Sequence, residues 1–486
     1  MTFWKKVKGM IQSWLNIQPA QGQSVTIRES VNHATNVLRN QIWYRGDASE
    51  IDQLFKHLSE DAVGRARFWA AAPQSQQIRK AHSGLPGILV DSLAGIVKAD
   101  LGRMEFTTDS QAASRWEVIA AENDFSALVG QAVADTLVTG DGAFKISMDT
   151  ALSQKPILEY WDGSRVEYVR RHGRVAQVHF LTPMGKRLLR EIYSPGSVTY
   201  KLFEGEKELP LAAEPSCADL QPVAFNSQVM LAVPLQFWPS GRYPGRGKSI
   251  FDSKTDAFDA HDEIISQWLD AVRAGRVQKY IPEALIPHNG EDGGLQLVNA
   301  FGTEFVKLAD DTRENGENEI KTVQPEIRYE AFVASYTATL NLCLQGIVSP
   351  ATLGIDVGRM ASAEAQREKK DITGMTRNAI TDALEKALPK LAEIALQAQD
   401  ILESRTPQPY TATVSFGEYG APDFDSRVKT IASAASSSIM SVEAQVDELW
   451  GTSKDEDWKA AEARRIRFER GMEDVTEPSL LDEVAR

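Results

Sequence analysis

Apolar positions along the 486-residue chain follow two rhythms. Over residues 26–139 they recur mostly at three- and four-residue steps. The spacing predicts helices over Glu50–Leu58 and Ile88–Val97 and over the longer span Ser114–Thr139. At Gly140-Asp141-Gly142 the pattern changes. From Ala143 to about Pro239 the period shortens towards two, with turn signals at Asp162-Gly163, His172-Gly173, Ser194-Pro195-Gly196 and Glu204-Gly205. Val166, Tyr168, Val175, Val178 and Phe180 predict a hairpin over His172-Gly173, and Ile192, Val198, Tyr200 and Leu202 another over Ser194-Pro195-Gly196. A mainly antiparallel β region is thus set into a helical chain.

Helical spacing returns over Phe251–Ala274. At ~100° per residue, Phe251, Phe258, Ile265, Trp268, Leu269 and Val272 fall on one side, and Asp252, Asp256, Asp259, Glu263 and Asp270 form a stripe roughly opposite. The stripe reads either as a solvated acidic face or as the lining of a passage that repels phosphate. A second helix is predicted over Tyr329–Ile347, with Phe332, Val333, Tyr336, Leu340, Cys343 and Leu344 on one face and small uncharged residues on the other, a composition suited to close packing. Between them, residues 276–327 carry five Lys/Arg against ten Asp/Glu, a net of −5. Short β-like runs there (Gly294–Val298, Glu304–Leu308, Glu319–Val323) predict a small α/β module at the end of a helical pair.

A Pro/Gly-punctuated loop, Ser349–Met360, follows. Ser362 is placed to cap a long helix reaching Leu402, which Pro389 is expected to end or kink. A strand over Thr411–Phe416 is expected to return to the β region. The tail from Asp425 reads as helical, with Ser441 starting one helix and Ser453-Lys454-Asp455-Glu456 resembling a capping box for another that Gly471 closes. At the other end, residues 1–17 predict an amphipathic helix with Lys5, Lys6 and Lys8 beside its apolar face. Such a helix suits docking on protein or lying on a membrane, and the choice stays open.

Charge and candidate chemistry narrow the function classes. The formal charge is −14, so a protein that grips DNA through a broad basic surface is excluded. Apolar runs fall short of a membrane span, no secretory leader is apparent, and Cys217 and Cys343 match no zinc or redox spacing; free thiols and cytosolic folding are expected. The segment Arg242-Tyr243-Pro244-Gly245-Arg246-Gly247-Lys248-Ser249 resembles a phosphate-binding loop, but the required first glycine is Arg242. Neither a histidine pair at helical spacing nor a nucleophile elbow occurs. The chain is therefore expected to carry no catalytic residues, cofactor or metal.

Several stretches carry a resemblance. Asn40–Asp47, Arg67-Phe68-Trp69, Arg79–Pro86, Tyr243–Ile250, Ser362–Lys369, Ser441-Val442-Glu443, Val446–Leu449 and Glu462–Gly471 resemble, in that order, segments of the portal proteins of long-tailed bacteriophages. The match spans roughly residues 35–475. It implies an α+β fold divided into an N-terminal helix and linker (1–24) and a wing, helical then antiparallel β (25–250). Stem helices (251–275 and 328–348) flank a small α/β clip (276–327). A tunnel loop (349–361), a wing-spanning helix with its return strand (362–424) and a helical crown (425–486) complete the division.

The resemblance further implies a ring, usually of twelve copies, at one capsid vertex in the virion, assembled in the host bacterial cytoplasm, through which double-stranded DNA passes without sequence preference. Implied partners are the large terminase packaging motor, head-completion or adaptor proteins, and the major capsid and scaffold proteins. Asp356, Arg359 and Met360 would lie in the DNA channel, with Arg359 approaching phosphates. Asp252, Lys254, Asp256, Asp259, Glu263, Asp270 and Arg273 are channel-facing candidates on the first stem helix. Glu291, Asp292, Asp310, Asp311 and Arg313 are candidate partner contacts in the clip. Two other readings remain: a different capsid-associated protein such as an adaptor or minor head protein, and a packaging ATPase, which would need an intact phosphate loop.

Overall fold

A computed structural model of the chain describes residues 32–58, 67–70, 78–107, 110–225, 228–275, 278–282, 304–308, 321–323, 326–355, 363–417, 424–437, 439–451 and 454–471. The fold is α+β. Helix α1 (His33–Arg45) starts where the Asn32 side chain accepts the Thr35 amide at 2.8 Å and stops at Gly46. Helices α2 (Ala48–Leu58) and α3 (Leu85–Ala99) follow, the latter with Pro86 in its first turn, where a missing N–H costs nothing.

The span 114–139 divides into α4 (Ser110–Glu122) and α5 (Phe125–Thr139). The break has a local cause. The Asn123 amide group donates to the Ile119 and Pro156 carbonyls and accepts the Leu158 amide, and Asp124 sits in the left-handed region at φ 43°. A strand in this helical third, β1 (Leu101–Phe106), is not predicted by the spacing.

Three antiparallel groupings make up the β structure of the body. Strands β2 (Asp141–Ser147), β3 (Ile157–Asp162) and β10 (Ala232–Gln236) form one sheet in the order β10-β2-β3, against which α5 packs. Strands β4 (Val166–Arg171), β5 (Arg174–Met184), β6 (Arg187–Ser194), β7 (Ser197–Glu204) and β8 (Lys207–Leu209) run as a meander, with β9 (Val223–Ala224) pairing β7. Both predicted hairpins are present: β4 with β5 across His172-Gly173, and β6 with β7 across Pro195-Gly196. The late strand is also present, as β14 (Ala412–Phe416), but its partner is β1 in a separate two-stranded ribbon.

Helix α6 (Thr255–Ala274) and helix α7 (Tyr329–Leu344) pack on each other. Between them in sequence lies a three-stranded sheet of β11 (Gln278–Pro282), β12 (Glu304–Leu308) and β13 (Lys321–Val323), in the order β12-β11-β13. Here β11 runs parallel to β12 and antiparallel to β13. Helix α8 (Ala363–Leu402) has 40 residues, ~60 Å of rod. Pro389 lies inside it without ending it. That proline withdraws the donor from the Glu385 carbonyl, and Glu385 is on the solvent side.

One continuous core joins these parts. Trp43, Leu89, Leu93, Val133, Leu137 and Phe144 meet Phe251 just before α6 and Phe258 in its first turn, Leu340 and Leu344 from the end of α7, and Ile380, Leu388 and Leu391 from α8. The tail helices α9 (Phe424–Ser436), α10 (Val442–Trp450) and α11 (Glu456–Glu469) have a small core of their own at Val442, Val446 and Ala463. Ser441 caps α10, and α11 is capped by Asp455, which accepts the Trp458 amide at 2.7 Å; Gly471 closes the tail.

Candidate functional site at the helix pair

The glycine-rich segment at 241–249 is the entry to α6, and the amides of its last four residues are already occupied. Gly247 donates to Asp141 Oδ2 at 2.6 Å, Lys248 to the Trp238 carbonyl at 2.8 Å, and Ser249 to Asp252 Oδ2 at 3.0 Å. The Arg246 guanidinium donates to Asp141 Oδ1 (2.8 Å) and to the Val166 (2.7 Å) and Gly163 (2.6 Å) carbonyls. Burial pushes the Asp141 carboxyl up and the Arg246 charge pulls it back. Gly140 and Gly247 touch backbone to backbone, and a Cβ on either would overlap the other's carbonyl. Sequence that resembles a phosphate loop is here a packed hinge.

An open cleft of about 430 Å³ lies beside this entry, lined among others by Lys248, Lys254, Gln345, Met375 and Thr376. Two of its hydroxyl groups are committed: Ser249 Oγ donates to the Leu137 carbonyl (3.0 Å) and Thr376 Oγ1 to the Ile347 carbonyl (2.6 Å). Among the described residues no group of His, Cys, Asp and Glu side chains is arranged to hold a metal ion.

The acidic stripe is only partly open: its burial at Asp259 corrects the channel-facing expectation for that residue. Asp252 accepts from the Asn36 and Asn40 side chains at 2.8 and 3.2 Å. Asp259 is buried and accepts the Phe68 and Trp69 amides at 2.9 and 3.0 Å. Burial raises its carboxyl against the pull of those amides. Asp256 is exposed but pairs with Arg67 at 3.0 Å. Glu263 accepts from Gln267 (2.9 Å), and Asp270 is half-buried. Asp256 and Asp259 are where the segment around 67–70 docks on the helix, and the 81–83 segment docks beside them.

Two residues of this docking site escape the sequence pattern. Asp262, fully buried, accepts Trp69 Nε1 (3.1 Å), His82 Nδ1 (2.7 Å) and the Ser83 amide (3.0 Å). Ser266 Oγ accepts the Ala81 amide at 2.9 Å. The one signal in the sequence is an aspartate at position 262, between Phe258 and Ile265 on the apolar side of the predicted helix.

Lys254 also has a local task. Its ammonium donates to the Leu342 and Gln345 carbonyls at 2.8 Å each, closing the C-terminal end of α7, where cations are favoured. Burial holds it below the ordinary lysine range. Lys254→Met is expected to lower stability by about 1 kcal/mol. Arg273→Met, at the exposed far end of α6, should be neutral. Chemical denaturation of the two variants checks the contrast.

The helices are joined by ring contacts. Trp268 stacks on Phe332 with centroids 6.0 Å apart, His261 lies 4.9 Å from Tyr336, and His261 Nδ1 is 2.9 Å from Thr339 Oγ1. Towards the small sheet, apolar residues emerge on both helices: Leu269 is 43% exposed, Val272 50%, Tyr329 62% and Val333 45%. Among the described residues nothing covers them. Asp356, Arg359 and Met360, and Glu291, Asp292, Asp310, Asp311 and Arg313, lie outside the described residues, as do residues 1–24.

No protein-family model matches the chain, and no curated protein matches it. Among solved structures it is similar to a chain in the neck of a native GTA particle computed with C12 symmetry, at 13% identity over 75% of this chain and 90% of that one, with a TM-score of 0.41. It is also similar to a chain in the virion of a native gene transfer agent (GTA) particle, at 12% identity over 89% and 94%, with a TM-score of 0.37.

Proposed function

We propose that the chain is the ring-forming portal subunit of a phage-like particle, with α6 and α7 as stem, the β11–β13 sheet as clip, and the 349–361 loop bordering a channel for duplex DNA. The observation that carries this reading is the unit α6–sheet–α7. Two packed helices hold a small mixed sheet at their far end, and apolar side chains are left open on the half nearest that sheet. Exposed apolar residues grouped on one part of a surface mark contact sites, and neighbouring copies side by side in a ring would cover them. The ordered motifs from residue 40 to residue 471 support the same reading. In it the clip receives the packaging motor and later the head-completion proteins, and the body faces the capsid interior.

Negative-stain microscopy with mass photometry tests the proposal. Rings with an axial channel wide enough for duplex DNA, near twelve protomers in mass, are expected. The double variant Leu269→Glu/Val272→Glu should keep its melting temperature and yield monomers, because a charge in a desolvated contact has no partner there. A compact dimer that binds nucleotide would sink the reading. Unaltered rings from the double variant would remove this surface from it.

A further inference from the structure

The β4–β5 hairpin reverses the charge of the protein locally. Residues 165–174 contain four arginines and one glutamate in a chain of net charge −14. The turn is formed by His172 and Gly173, both in the left-handed region at φ 49° and 78°, the two-residue turn that matches strand twist. It sets Arg171 directly opposite Arg174 in the strand register. Like charges facing each other across strands destabilise a hairpin, so folding alone gives no reason for the pair.

No carboxylate relieves it. Arg171 and Arg174 are exposed and make no ion pair among the described residues. The one acid in the run, Glu167, is turned to Arg190 (3.3 Å) and His179 (3.9 Å). Arg170 beside them is held in place, donating to the Gly245 carbonyl at 3.2 Å with its guanidinium 5.6 Å from the Tyr168 ring. The tip therefore presents two unpaired arginines and an exposed imidazole, with Val169 and Val175 half-buried below and no exposed apolar side chain.

We infer that this tip is a sequence-independent contact for the phosphate backbone of duplex DNA, made by Arg171 and Arg174. The composition separates nucleic acid from an acidic protein partner. A stable protein contact needs aromatic or aliphatic anchors to desolvate, and the tip has none exposed. Phosphates need only cations, and they repay binding by releasing counterions. The contact is complete within one protomer and does not require the ring. It belongs to the β4–β5 hairpin of the body, so it would hold DNA lying against the body rather than DNA passing along the axis.

The test is fluorescence anisotropy of the full chain with a mixed-sequence duplex of about 30 base pairs, titrated at several salt concentrations. Arg171→Ala/Arg174→Ala should weaken binding about tenfold at low salt and reduce the log–log salt slope by roughly 2, one for each lost phosphate contact. Arg171→Lys/Arg174→Lys should keep the slope, and the alanine variant should melt no lower than the parent. Absence of binding by the parent, or equal affinity and slope for the alanine variant, overturns the inference. So does an alanine variant that binds DNA normally but changes oligomeric mass, which would place a second copy of the chain on the hairpin. Protomers that never form rings yet lose DNA through these two arginines would count against the portal proposal and leave this contact standing.

Discussion

Asp262→Ala is expected to cost about 3–5 kcal/mol of stability, because it strands buried donors. The carboxylate is fully buried and receives the Trp69 indole N–H, the His82 imidazole and the Ser83 amide. The Trp69 and His82 side chains are both buried there. Asp262→Asn keeps one acceptor oxygen and should lose about half as much. The damage should be local before it is global. Hydrogen exchange is expected to speed up first at the amides of Phe68, Trp69, Ala81 and Ser83, which α6 holds through Asp259, Asp262 and Ser266. Uniform loss of protection across the body, or a stability change below about 1 kcal/mol, would mean that the network does not pin this segment.

Gly247→Ala should be at least as damaging, and it separates a packed hinge from a nucleotide loop. A methyl there would overlap the Gly140 carbonyl and press on the Asp141 side chain. Both belong to backbone or to a buried ion pair with Arg246, so neither can move aside. Overpacking of this kind costs about 3 kcal/mol or more, and loss of soluble protein is the expected result at growth temperature. Gly241→Ala, six residues earlier with open space around it, should be silent. Thermal melts of the pair decide the matter: a soluble Gly247→Ala protein with an unchanged melting temperature would refute the hinge.

Elements that carry their own punctuation are legible in the amino-acid sequence. Both hairpins announce themselves through His172-Gly173 and Pro195-Gly196, and the long helix predicted from Ser362 to Leu402 is observed from Ala363 to Leu402. Elements defined by distant partners are not legible in this way. Strand β1 exists because β14 pairs with it from more than 300 residues away, and Leu101–Phe106 alone does not alternate cleanly between buried and exposed. The acidic stripe shows the same limit. A helical projection gives the angle of Asp259 correctly and says nothing about what stands opposite. The stripe reads as open until Phe68 and Trp69, some 190 positions earlier, arrive to cover it. Lys254 likewise reads as a free cation until the last turn of α7 comes within reach.

Helix α8 is clamped at two places. Arg377 holds Asp100 at 2.9 Å and bonds the Gly417 carbonyl, and Asp400 holds Arg115 at 2.8 Å and Tyr410 at 2.9 Å. The clamps lie ~35 Å apart on a single rod, and the turns before Thr373 continue beyond the first of them towards residue 363. Mechanically this is a beam fixed at both clamps and tied again between them, where Glu393 accepts the Ala412 amide at 3.0 Å. Bending the rod between the clamps would strain one of the two ion pairs. Strain on either ion pair is thereby shared with the β1–β14 ribbon, through Asp100 and Gly417, and with α4, through Arg115.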